Sequence, residues 1–136
     1  TIFSGTAGHT AVMTRDILER DDTLDATIMT VDGARTRDEV AAGIARLIEQ
    51  FQDKPTRNVV VDIREAIYDQ PVEDIIKDWS LVAALLPRAN VALVHSDRTA
   101  TPALATVGAL EASHHCAETF ESLDEAFDWI GARSAA

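Results

Sequence analysis

Three groups of residues carry side-chain types capable of chemistry. His95, Ser96 and Asp97 are consecutive and include all three members of a hydrolase triad. A triad needs an imidazole that bridges the other two groups. Consecutive residues of an extended chain point to opposite sides, and no G-x-S-x-G elbow accompanies them. The simpler expectation is that Ser96 and Asp97 bond turn amides ahead of a helix. His114, His115 and Cys116 form a second cluster. Imidazole and thiolate are zinc ligands, yet adjacent residues on one strand cannot all face one ion, and no Cys-x-x-Cys or His-Glu-x-x-His supports them. Cys116 therefore reads as a small buried hydrophobe, and no metal is expected. The third group is Asp62, Arg64, Glu65 and Asp69, with Tyr68, the only tyrosine, in the same stretch. Carboxylates gathered in a cleft do acid–base work when their pKa values are pushed apart. More commonly such groups are solvated loop charges or turn acceptors.

The elements that must position these groups follow from periodicity. Asp16–Arg20 and Leu24–Val31 flank the polar Asp21-Asp22-Thr23 and read as strand–turn–strand, with Asp32-Gly33 as a closing turn. Thr36-Arg37-Asp38-Glu39 fits a capping box, and Val40, Ile44, Leu47, Ile48 and Phe51 continue as a helical stripe to about Gln52. Val59–Ile63 is a β-branched run suited to a strand covered on both faces. Pro71 opens a second helix whose buried stripe is Val72, Ile75, Ile76, Trp79, Val82, Ala83 and Leu86. Val91–Val94 is a further buried strand, Thr101-Pro102 starts a third helix, and a strand follows over His115–Phe120. Ser122-Leu123-Asp124-Glu125 is a second capping box, with Gly131 as the expected C-terminal cap of the last helix. The order ββαβαβαβα implies one α/β domain with a mixed, mostly parallel sheet and right-handed crossovers. Residues 1–15 read as a flexible lead-in, 16–133 as the domain and 134–136 as a tail.

Composition narrows the partners. The 136 residues hold 12 Lys and Arg against 23 Asp and Glu, a net charge of −11. Polyphosphate binding needs clustered bases to release counterions, so nucleic acid is not an expected partner. No apolar run approaches the roughly 20 residues of a membrane span. With Cys116 as the single cysteine, no internal disulfide can form, and a cytoplasmic location is expected. Neither G-x-G-x-x-G nor G-x-x-x-x-G-K-[ST] is present, so no nucleotide cofactor is expected. The acids concentrate in 16–25, 65–78 and 111–128, which favours a basic protein surface as partner.

Val59-Val60-Val61-Asp62-Ile63-Arg64, Asn90–Val94 and the ending Phe120-Glu121-Ser122-Leu123-Asp124-Glu125-Ala126-Phe127-Asp128-Trp129-Ile130 carry a family likeness. With the leading hairpin, they resemble the SpoIIAA-like (STAS/SEC14-like) bacterial proteins, related in fold to the STAS anti-sigma-factor antagonists. The resemblance spans about residues 16–131. It implies a STAS-like domain and, for its phospho-switch members, a Ser or Thr at the start of the helix after the central strand. Arg64–Pro71 contains neither, so the phosphorylation switch is not carried over. The expectation is a non-enzymatic regulatory or protein-interaction module. Its candidate surface is Arg64, Glu65, Ile67, Tyr68 and Asp69, with Trp79 on the second helix and His95 at the next strand's end. The alternative is a site for a small apolar or lipid-like ligand in a cavity between helix and sheet, lined by residues such as Ile67, Ile76 and Phe120. A hydrolase using His95 or Asp62 is a third possibility, and self-association remains open.

Overall fold

The computed structural model describes residues 17–53 and 58–134. The lead-in expected over 1–15 and the last two residues of the tail lie outside that range. The element order is β1 (Ile17–Asp21), β2 (Ala26–Arg35), α1 (Arg37–Asp53), β3 (Asn58–Tyr68), α2 (Val72–Leu85), β4 (Asn90–Val94), α3 (Ala100–Ala112), β5 (Cys116–Phe120) and α4 (Leu123–Ser134). This is the expected ββαβαβαβα series. Among the described residues, no helix is long and apolar enough to cross a membrane.

The five strands lie in the sheet in sequence order, β1-β2-β3-β4-β5. The hairpin β1–β2 is antiparallel, and every later pairing is parallel. Its turn is set locally: the Leu24 N–H donates to Asp21 Oδ1 at 3.0 Å, Asp25 adopts φ 52°, and Arg20 pairs with Asp25. The three parallel crossovers all step the same way across the sheet, and right-handed connections then place α1, α2 and α3 on one face. The core divides accordingly. Val59, Val61, Ile63, Val91 and Leu93 pack with those three helices, whereas Val60, Ala92 and Val94 pack with Ala126 and Ile130 of α4. Burial on both faces explains why β3 and β4 are continuous apolar runs. It also explains why Met29 and Val31 of β2 fall out of phase with Ala26 and Ile28, since each pair feeds a different face.

The first capping box forms in full, and the second forms only its Ser122-to-Glu125 half. The Glu39 N–H donates to Thr36 Oγ1 at 3.3 Å while the Thr36 N–H donates to Glu39 Oε1 at 3.1 Å. The Glu125 N–H donates to Ser122 Oγ at 3.2 Å. Several boundaries differ from the sequence expectation. β2 does not stop at Asp32-Gly33: a bulge between Thr30 and Asp32 absorbs the irregularity, Gly33 takes φ 86°, and pairing with β3 resumes through Arg35. β3 continues well past Ile63, so Arg64–Tyr68 is strand and not the expected loop. Gly131 lies inside α4 and does not cap it. At the end of α3 the left-handed position is taken by His114, φ 70°, in a Schellman arrangement: the His115 N–H reaches Leu110 O at 3.1 Å and the His114 N–H reaches Glu111 O at 3.0 Å.

Candidate functional site

At the carboxyl ends of the parallel strands, the side chains singled out above are tied to one another. Asp62, on the last residue of β3 that pairs with β4, is buried. Arg64 holds it through Nε to Oδ1 at 3.0 Å and Nη2 to Oδ2 at 2.8 Å, and the Arg64 N–H also donates to Oδ1 at 3.1 Å. That bond, opposed by desolvation, raises the Arg64 pKa above its ordinary value. The next loop is fastened to the same place. Ser96 Oγ donates to Arg64 O at 3.2 Å, Arg98 Nη2 donates to it at 3.4 Å, and the Ser96 N–H is accepted by the buried Thr99 Oγ1 at 3.0 Å. Thr99, not Asp97, is therefore the side chain that bonds a turn amide before α3. The His95 N–H donates to Phe120 O, and its Nδ1 contacts Ser96 O at 3.0 Å. His95, Ser96 and Asp97 thus form no bridged triad. Among the described residues the parallel strands never reverse their order, so they form no switch point of the kind at which open α/β sheets bind ligands.

The other expected groups separate. His115 is buried; its Nδ1 accepts from the Ala89 N–H at 3.2 Å and its Nε2 donates to Ala83 O at 2.8 Å. Both ring nitrogens are thereby engaged by backbone, and among the described residues no three His, Cys, Asp or Glu side chains gather as a metal site. Trp79 is only 6% exposed and belongs to the main core, which corrects its assignment to an interaction surface. Its place on the α2 stripe decides this: an indole pointing at the sheet cannot also meet a partner. Phe120 packs at 5.6 Å from Trp129 on the α4 face, whereas α2 covers the opposite face. Ile76 and Phe120 therefore do not line one cavity. Ile67 lies exposed on the part of β3 that pairs only with β2, beside Glu65 and the half-buried Tyr68; Asp69 follows just beyond.

Sequence reasoning missed a second feature, in the helix layer. α2 packs closely on α3, but between α1 and α2 runs an open groove of about 240 Å³. Ala41, Ile44, Ala45 and Ile48 form one wall and Leu81, Val82 and Leu85 the other, with Asp78 at one end. Leu81 is 64% exposed and Leu85 70%. Ile76, assigned to the buried stripe, is itself 41% exposed. The signal was present: α2 has apolar residues at positions 81 and 85 beyond those its stripe needs. Arg37 of α1 closes the Asp78 end, with Nη2 3.2 Å from Asp78 Oδ1 and Nη1 3.9 Å from Asp74 Oδ1. The hydrogen bond to Asp78 raises the Arg37 pKa above its ordinary value.

No family profile and no curated protein sequence matches the chain. Among solved structures it is similar to the crystal structure of an uncharacterised protein of the DUF3478 family, with a SpoIIAA-like fold, from Shewanella loihica PV-4. The two superpose with a TM-score of 0.58 at 17% identity, over 87% of this chain and 94% of that one. At that identity the likeness speaks for architecture alone, and it agrees with the topology above: the chain has the SpoIIAA-like fold.

Proposed function

We propose that the chain is a non-enzymatic, STAS-like interaction module that works by binding another protein through apolar side chains left exposed on α2 or at the end of β3. The observation that carries this reading is the pair of large apolar side chains held at the surface on the α1 edge of α2, Leu81 and Leu85; Ile76 on the helix's other edge and Ile67 on the opposite face of the sheet are separate exposed apolar points. Leu81 and Leu85, one helical turn apart beside the apolar wall of α1, form a contiguous exposed patch of the kind that marks an interaction site. The engagement of Asp62, Ser96 and His115 in structural hydrogen bonds supports the non-catalytic side of the reading. The excess of acids favours a basic partner whose association weakens as salt is added.

The test uses the intact chain as bait in an extract of the cells that make it, beside Ile67→Glu and Leu85→Glu. At least one protein should be enriched by wild type and lost with one of the two variants, their circular dichroism being unchanged. Equal retention by all three baits removes the reading. The alternative is a small apolar or lipid-like ligand. Native mass spectrometry of freshly purified chain separates the two, because that alternative requires co-purified small molecules.

A further inference from the structure

The α1–α2 groove has a shape and a charge asymmetry that together specify an occupant. Its floor is the buried Ile44 and Val82, and its rim is Leu81 and Leu85, one helical turn apart. About 240 Å³ open to solvent is below the roughly 300–1,000 Å³ of sites that enclose small molecules. A trough between two helices is instead the form that receives a third helix. The two walls run in the same direction, because both helices are crossovers between parallel strands. The Asp78 end is therefore the amino-terminal end of both walls, and it is one cation short. Asp74 and Asp78 share the single guanidinium of Arg37, and Asp78 Oδ2, buried against the groove end, has no hydrogen-bond partner among the described residues.

We infer that this groove docks an amphipathic helix of another protein, running antiparallel to α1 and α2. Leucine-sized side chains at i, i+4 would face the groove, and a Lys or Arg in the docked helix's last turn would lie over Asp74 and Asp78. The antiparallel sense puts the docked helix's carboxyl end, where cations are favoured, at the acidic end of the groove. A second copy of this chain fits less well, since it brings a charge of −11 to a surface of the same sign. The inference rests on the interaction-module reading and names the surface and partner chemistry within it.

The probes are two synthetic, helix-stapled peptides of identical composition, with the same leucine stripe and with lysines in either the last or the first turn. Binding is read by fluorescence anisotropy at low and high salt. The last-turn peptide should bind about three- to tenfold more tightly at low salt, a margin that closes as salt is added. Asp78→Asn should remove the margin without abolishing binding, and Leu81→Glu with Leu85→Glu should abolish binding of both peptides, since both leucines are exposed and the fold should persist. Failure of both peptides to bind wild type overturns the inference, as does undiminished binding to the double variant. Sedimentation that shows a wild-type dimer and a monomeric double variant overturns it in favour of self-association. If the peptides fail while the capture experiment still yields a partner lost with Ile67→Glu, the groove assignment falls and the module reading stands.

Discussion

The two long edges of α2 are held in different ways. Toward α3 the seam is closed: His115, just beyond the end of α3, is buried and bonds both Ala83 O, within α2, and the Ala89 N–H that follows it. The two bonds require the neutral ring with its proton on Nε2, so one side chain satisfies a backbone donor and a backbone acceptor that water cannot reach. Toward α1 the seam is open, and the charged contact across it is Arg37 with Asp74 and Asp78 at one end. Water reaches the half-exposed Arg37 of that pair, but nothing replaces a buried backbone bond. The helix is thus fixed by its inner face and one edge, which leaves the other edge available without loosening the fold.

Three substitutions test that contrast, in order of expected effect. Trp79→Ala empties the core beneath α2 and should cost about 3–5 kcal/mol in urea unfolding. His115→Ala strands two buried backbone groups, each costing about 1–3 kcal/mol when unsatisfied, and should cost at least about 2 kcal/mol; a loss under about 1 kcal/mol would mean the closed seam does not depend on the imidazole. Arg37→Ala should give the smallest of the three shifts in urea midpoint at moderate salt, because Arg37 is half exposed, although Asp78 is only 12% exposed. A shift for Arg37→Ala as large as that for His115→Ala would erase the distinction between the two edges.

Much of the fold was legible because it rests on local signals. Thr36 with Glu39 and Ser122 with Glu125 announce helix starts through bonds made within four residues. The runs Val59–Ile63 and Val91–Val94 announce strands covered on both faces. The errors come where tertiary pairing overrides a local rule. Asp32-Gly33 is a turn signal, but β3 supplies a pairing edge that carries β2 through it with a bulge. The same pairing turns Arg64–Tyr68 from loop into strand, with Ala66 inward and Glu65 and Ile67 outward. At the candidate site, the clustering of Asp62, Arg64 and Ser96 was foreseeable from topology; their mutual hydrogen bonds were not. Whether a helix edge meets its neighbour depends on the spacing of whole elements, and no local pattern encodes that. The groove therefore showed in the sequence only as two leucines in excess.

The strand order bears on how the molecule assembles. Each strand pairs only with its neighbours in sequence, so the sheet can accrete in the order of synthesis and no strand must wait to be inserted between two others. α4 breaks that locality by lying across β3, β4 and β5. At its end Arg133 Nε donates to Asn90 Oδ1 at 3.4 Å, Asn90 Nδ2 donates to Asn58 Oδ1 at 3.1 Å, and Asn58 Nδ2 donates to Leu24 O at 3.1 Å. A relay of amides thus joins the final helix to the first hairpin. Loss of that relay would uncouple α4 from the hairpin while leaving every strand pairing in place.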